Sequence, residues 1–230
     1  MKYMVSPKDD ELFFGLYDAE SAQREYLISQ YLVGQKVRVT EVVGYADIRH
    51  VFSVEPFFNN GRAVDPCILY TKVRSVYRVA DLAYLSPRQI NQSISDVCHM
   101  EGWSPAHFLE AFCYELTKTV GMMHKLGCCN DTLDPNNVTL AAEITDFEWI
   151  TTPACSLPVA PYYPDIEKRR AKEIVYLFEV CFQLSCYMGK VNRISEITAI
   201  IKKTYISLIP EKRDFLAQLF DTAEPVVYSD

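Results

Sequence analysis

The sequence predicts an α+β fold in two lobes: a reduced N-terminal lobe over 1–100, made of a helix, strands and a linker, and a mainly helical C-terminal lobe over 101–230. Two observations predict it. Segments rich in Val, Ile, Thr and Tyr cluster between residues 37 and 85 around turn residues Asn59, Asn60 and Gly61, the signature of strands joined by loops. From Phe108 onward the apolar residues recur at helical spacing instead.

The elements follow in order. Residues 19–33 place Ala22, Tyr26, Leu27, Ile28, Tyr31 and Leu32 on one broad stripe, with Gly34 as a stop, which predicts a first helix. The stretches 37–48 and 63–85 predict strands. Ser104 as N-cap and Pro105 at the first helical position then open a long buried helix, in which Phe108, Phe112, Leu116 and Val120 recur every four residues until Gly127. Val138 to Leu140 and Glu143 to Thr145 form a short hairpin. The four prolines between Pro153 and Pro164 exclude regular structure from that loop. Helices over about 166–188, 192–208 and 211–221 close the chain.

A chain of 230 residues, 49% hydrophobic, can bury one substantial core or two small lobes. Its net charge of −7 argues against nucleic acid as a partner, because such proteins concentrate Lys and Arg on one face. None of the eight cysteines falls in a CxxC pair, and Cys128 and Cys129 are adjacent, so they read as reduced, mostly buried thiols. The opening residues turn acidic before an apolar run forms, and no segment reaches the length of a membrane span. The expectation is a cytoplasmic protein with no membrane partner.

Chemistry concentrates between Gly127 and Trp149. Asn137 and Asp146 flank the short hairpin, and an Asn and an Asp so placed hold Mg²⁺ against nucleotide phosphates in phosphate-transfer folds. The element order matches a protein-kinase-like bilobal fold without its first strands. A plain Asx turn at Pro135 to Asn137 beside a surface Asp is the alternative on spacing alone. A kinase loop reads H-R-D-L-K-P-x-N; aligning Leu133, Pro135 and Asn137 to its L, P and N puts Asn130, Asp131 and Thr132 in place of His, Arg and Asp. Asp131 and Asp134 are the nearby candidates for the missing catalytic carboxylate.

Three separated motifs carry a closer resemblance. Arg24 to Ser29 (REYLIS), Lys72 to Tyr84 (KVRSVYRVADLAY) and Asp134 to Glu148 (DPNNVTLAAEITDFE) resemble, in order and rough spacing, three motifs of the selenoprotein O family. These are protein adenylyltransferases of kinase-like fold that bind ATP in a reversed pose and transfer AMP to Ser, Thr or Tyr hydroxyls of proteins. The resemblance spans roughly residues 20–150. It implies ATP and Mg²⁺ (or Mn²⁺) as cofactors and a protein acceptor as partner. It also implies Glu25 as ion-pair partner of an ATP-contacting lysine, with Lys2 at about the expected distance upstream, Lys72 and Arg78 as phosphate contacts, and Asn137 and Asp146 as metal ligands.

The departures point to a second expectation. The family's catalytic Asp is Asn136 here, and an amide cannot accept the hydroxyl proton as a carboxylate does. A phosphate-contacting Arg is Lys72, and Glu148 replaces a Gly. The chain also lacks the family's long N-terminal part and its selenocysteine tail. The alternative is therefore a catalytically dead, kinase-like pseudoenzyme that serves as a binding or regulatory module; a further one is part of a split enzyme completed by another polypeptide.

Other residues carry plainer expectations. Glu25 reads equally as an exposed helix residue, Arg74 and Arg78 as a solvated strand face, and His124 as a C-terminal helix cap. The KRRAK run, Lys168 to Lys172, reads as a wet helix face. Phe147, Tyr162 and Tyr163 fill core or cover a ligand.

Overall fold

The computed structural model describes residues 17–48, 57–59, 62–64, 66–130, 132–147, 150–151 and 166–217. Strand β1 (Tyr17–Asp18) leads straight into helix α1 (Ala19–Gly34), whose N-terminus is capped by Asp18 through Ser21 N–H at 2.9 Å. Strands β2 (Glu41–Asp47), β3 (Phe57–Asn59), β4 (Arg62–Val64) and β5 (Pro66–Lys72) follow. β5 lies antiparallel between β1 and β2, and β3 pairs with β4 as a separate hairpin. The fold is α+β, as the composition predicts.

Helix α1 covers one face of this small sheet. It is pinned by Ser29, whose hydroxyl donates to Thr40 O and accepts from Val42 N–H, both at 2.9 Å. Strand structure stops at Lys72, so the predicted strand over 63–85 is corrected. Residues 73–79 bend across the body, and Ala80–Tyr84 is a 3₁₀ turn. Side-chain bonds replace strand pairing along this stretch: Glu143 accepts from Arg74 N–H at 2.9 Å, Ser75 Oγ accepts from Tyr77 N–H at 3.2 Å, and the Asp81 carboxylate accepts from Arg78 N–H at 2.7 Å and holds the turn.

The expected linker up to residue 100 contains a further helix, α2 (Pro87–Glu101). A capping box of Ser86 and Gln89 opens it, Pro87 occupies its first turn, and Gly102 at φ 69° closes it in the left-handed region that glycine adopts without strain. Helix α3 (Phe108–Lys125) starts after a 3₁₀ turn at Pro105–His107, and Ser104 makes no side-chain capping bond there.

Its predicted apolar stripe is the centre of the molecule: Phe108, Phe112, Leu116 and Val120 are all fully buried. Each such burial contributes about 1.5–3 kcal/mol.

Strand β6 (Cys129–Asn130) pairs antiparallel with β7 (Ile150–Thr151). Helices α4 (Ile166–Tyr187) and α5 (Ile194–Leu208) pack on α3 and on each other, and a 3₁₀ turn at Pro210–Lys212 leads into a last helical stretch described to residue 217. Gly121 lets α3 approach α5 closely, because a Cβ there would meet Leu208 Cδ1 at 2.6 Å. Seven described cysteines are free thiols, all but Cys186 buried. No described helix is long and apolar enough to cross a membrane. Most of the Pro-rich loop, with Tyr162 and Tyr163, lies outside the described residues, as do Lys2, Asp131 and Glu148.

Candidate functional site

The hairpin of Val138 to Thr145 sits where the two halves of the chain meet. Its turn is closed by Thr139 N–H to Glu143 O and Ala142 N–H to Thr139 O, both 2.9 Å, with Ala142 at φ 56°. Val138 bridges Ile144 antiparallel; outside them, Val39 bridges Ile144 in parallel and Arg78 bridges Thr139 antiparallel. Backbone bonds from Val79 N–H to Val138 O and from Thr40 N–H to Ile144 O, each 2.9 Å, stitch the N-terminal segments to both sides.

At the open end lie the two expected metal ligands. Thr145 N–H donates to Asn137 O at 2.9 Å, which sets Asp146 one residue beyond that pairing. Asn137 is buried, and its Nδ2 donates to Thr132 O at 2.9 Å. Its Oδ1 has no hydrogen-bond partner among the described residues. Asp146 is half-buried at φ 65°, a left-handed backbone held by Asn130 Nδ2 and Thr132 Oγ1 on its carbonyl, both at 3.4 Å. Asn130, aligned with a kinase-loop His, thus braces the Asp146 backbone.

The candidate bases are placed differently. Asp134 is half-buried and turned on its own chain, with Oδ1 accepting from Asn136 N–H at 2.6 Å in an Asx turn. The Asx turn thus starts at Asp134, one residue before the expected Pro135 to Asn137 span, and Asp146 is half-buried where that reading expected a surface Asp. Asn136 itself is exposed, and Asp131 lies outside the described residues.

Arg78 reaches the same neighbourhood through its backbone pairing and is exposed. Lys72 does not: its Nζ pairs with Glu41 at 3.4 Å, and it lines a cavity at the turn end of the hairpin, beside Glu143. Glu25 is 3% exposed on α1, which overturns its reading as a solvated helix residue.

A buried cluster escaped sequence reasoning. His124 is not a helix cap. It is fully buried, its Nε2 lies 2.6 Å from Glu173 Oε2, and its Nδ1 meets the Tyr205 hydroxyl. Glu173 Oε1 accepts from Asn130 N–H at 2.9 Å, so the cluster also anchors the loop that carries the hairpin. Burial pushes the Cys129 thiol and the Tyr205 phenol well up, with the Glu173 charge adding to both.

Atoms of His124, Cys129 and Glu173 lie within 4.8 Å of one another, a spacing that suits a metal ion. Their chemistry does not: imidazole and carboxylate already bond each other, the thiol is held protonated, and Arg169 and Arg170 add positive charge nearby. These residues tie helices together. The KRRAK run is accordingly only partly a wet face, since Arg169 is buried and Arg170 donates to His124 O at 2.6 Å. Phe147 fills core.

No protein-family model matches this chain, and no curated protein matches it either.

Proposed function

We propose that this chain is a diverged, selenoprotein O-like protein of protein-kinase-like bilobal fold that holds ATP through Mg²⁺ (or Mn²⁺) at the Asn137–Asp146 hairpin. Its activity in this reading is AMP transfer to a Ser, Thr or Tyr hydroxyl of a cytoplasmic protein acceptor. Hard divalent cations take oxygen ligands and retain several waters. Asn137 Oδ1 and the Asp146 carboxylate would supply those oxygens, and Arg78 would face the phosphates. The bound ion would neutralise phosphate charge.

One observation carries this reading: the Asn137 amide is fixed by its bond to Thr132 O in an orientation that leaves Oδ1 without a partner among the described residues. An amide oxygen left open in this way is available to a hard cation, and an ion at this place would take it as a ligand. A second reading, the pseudoenzyme that binds nucleotide and regulates a partner, is favoured by a different observation. The Asp134 carboxylate is engaged by Asn136 N–H, and an exposed amide stands where the base would be.

Thermal denaturation with ATP and Mg²⁺ or Mn²⁺ tests the site. A ligand at a hundred times its Kd stabilises the native state by about 2.7 kcal/mol, and the Asn137→Ala and Asp146→Ala variants lose that gain. An absent shift, or one that survives both substitutions, overturns the site. ATP labelled on the α or the γ phosphate then separates the two readings: α label on protein marks AMP transfer, and no label marks the pseudoenzyme.

A further inference from the structure

We propose that the cavity at the turn end of the hairpin binds a small organic anion, an apolar body carrying a phosphate or carboxylate, at a site separate from Asn137 and Asp146. The cavity measures about 600 Å³, within the range of small-molecule sites. The ends of α1 and α2, the facing ends of β2 and β5, the middle of α3 and Glu143 at the hairpin turn enclose it. Three features define what it would hold.

Its walls are partly apolar, with Val33, Val37 and Met122 offering surface to a hydrophobic body. Its floor is a fixed set of charges. Arg38 Nη2 meets Glu101 at 2.6 Å, Arg38 Nε donates to Ala141 O at 2.7 Å, and Arg74 N–H donates to the buried Glu143 carboxylate at 2.9 Å. Arg38, Glu101 and Glu143 are thereby held in place and shape the cavity, while the exposed Arg74 guanidinium, 3.3 Å from Glu101 and 3.6 Å from Glu143, belongs with the looser charges of the rim.

The rim is different. Lys72 lies 3.4 Å from Glu41 and Lys118 lies 3.7 Å from Glu115, both loose pairs, and Lys36 has no partner among the described residues. Exposed pairs of this kind are weak, so the ammonium groups turn to an incoming anion at little cost. The lining also carries five basic and four acidic side chains. That is a local excess of positive charge on a chain whose net charge is −7, and an anion is drawn to it.

Titration calorimetry tests the proposal with phenyl phosphate, benzoate, inorganic phosphate and benzyl alcohol. The expected result is one site per chain for phenyl phosphate or benzoate, with the tighter of the two naming the head group. Inorganic phosphate and benzyl alcohol each bind at least about tenfold more weakly, which is about 1.4 kcal/mol. The Lys36→Glu/Lys118→Glu variant, altered only at solvent-facing side chains, weakens binding by a similar factor, and Asn137→Ala leaves it unchanged. Raising NaCl weakens binding in the unmodified protein, a check that needs no variant.

Absence of binding by both aromatic anions overturns the proposal. So does an affinity matched by benzyl alcohol, retained after charge reversal, or lost with Asn137→Ala.

Discussion

His124 on α3 and Glu173 on α4 meet at 2.6 Å between Nε2 and Oε2, with 0% and 2% of their side chains exposed. The pair is completed by the Tyr205 hydroxyl on one side and Asn130 N–H on the other, so one buried network ties α3, α4, α5 and β6. Removing a partner strands the others without water, at about 1–3 kcal/mol for each unsatisfied group. Glu173→Ala is expected to cost about 3 kcal/mol or more, because two donors lose their acceptor. Tyr205→Phe, which removes one hydroxyl and keeps the ring, costs about 1 kcal/mol. Urea unfolding monitored by circular dichroism measures both, and equal losses would mean that Glu173 is not the hub.

Helix α2 offers a cleaner local test. Ser86 Oγ accepts from Gln89 N–H at 3.4 Å, while Gln89 Oε1 accepts from Ser86 N–H at 2.9 Å and from the Ser86 hydroxyl at 2.7 Å. Ser86→Ala is expected to destabilise by about 1 kcal/mol. Ser86→Asp recovers most of that, since a carboxylate at this position still accepts from the first turn and favours the helix dipole. A loss with Asp as large as with Ala in the same unfolding assay would reject the capping role.

That helix also shows what the sequence did and did not make legible. Helix α3 was readable because Phe108, Phe112, Leu116 and Val120 keep a single period and all enter the core. Helix α2 is harder to read because its stripe of Ile90, Ile94 and Val97 is thin between polar residues; its legible signals are Ser86, Pro87, Gln89 and Gly102. Val76 and Tyr84 suggested a strand, yet they are 79% and 90% exposed, and the Asp81 turn overrides their β preference. The hairpin of the candidate site could be read because Asn137 and Asp146 are close in sequence. The His124 cluster could not, since its partners lie 49 and 81 residues away and meet only through helix packing.

Glu143 yields a pH prediction. Burial raises its carboxyl above the ordinary value of 4.5, and this outweighs the opposing bonds from Arg74 N–H and the Thr139 hydroxyl and the nearby charges of Arg38 and Arg74. The native state therefore keeps this proton to higher pH than the unfolded chain. Stability from the group is fully present below about pH 4.5 and is lost as pH rises through the raised folded-state value. Glu143→Gln keeps an acceptor without the charge, so its stability relative to the native sequence improves with rising pH across that window and levels off above it. Paired urea unfolding curves between about pH 4 and pH 8 give this difference directly. A flat difference would show that Glu143 titrates alike in both states.

Asn136→Asp restores the carboxylate whose absence sets the two functional readings apart. Asn136 is exposed and precedes Asn137, and its backbone N–H, not its side chain, bonds Asp134 Oδ1. Asn136→Asp therefore leaves the Asx turn intact and is expected to change stability by less than about 0.5 kcal/mol. It supplies a carboxylate beside the proposed metal ligands, where the resemblance to adenylyltransferases implies the catalytic base. A positioned general base contributes about 10²–10⁴-fold to rate. If the hairpin holds ATP and a divalent ion, the variant labels protein from α-labelled ATP at least about tenfold faster than the native sequence, and a further Asn137→Ala change abolishes the gain. If Asn136→Asp binds ATP with the native affinity and still transfers nothing, a lost base is not what silences the chain. The pseudoenzyme reading then stands on the architecture around the hairpin as a whole.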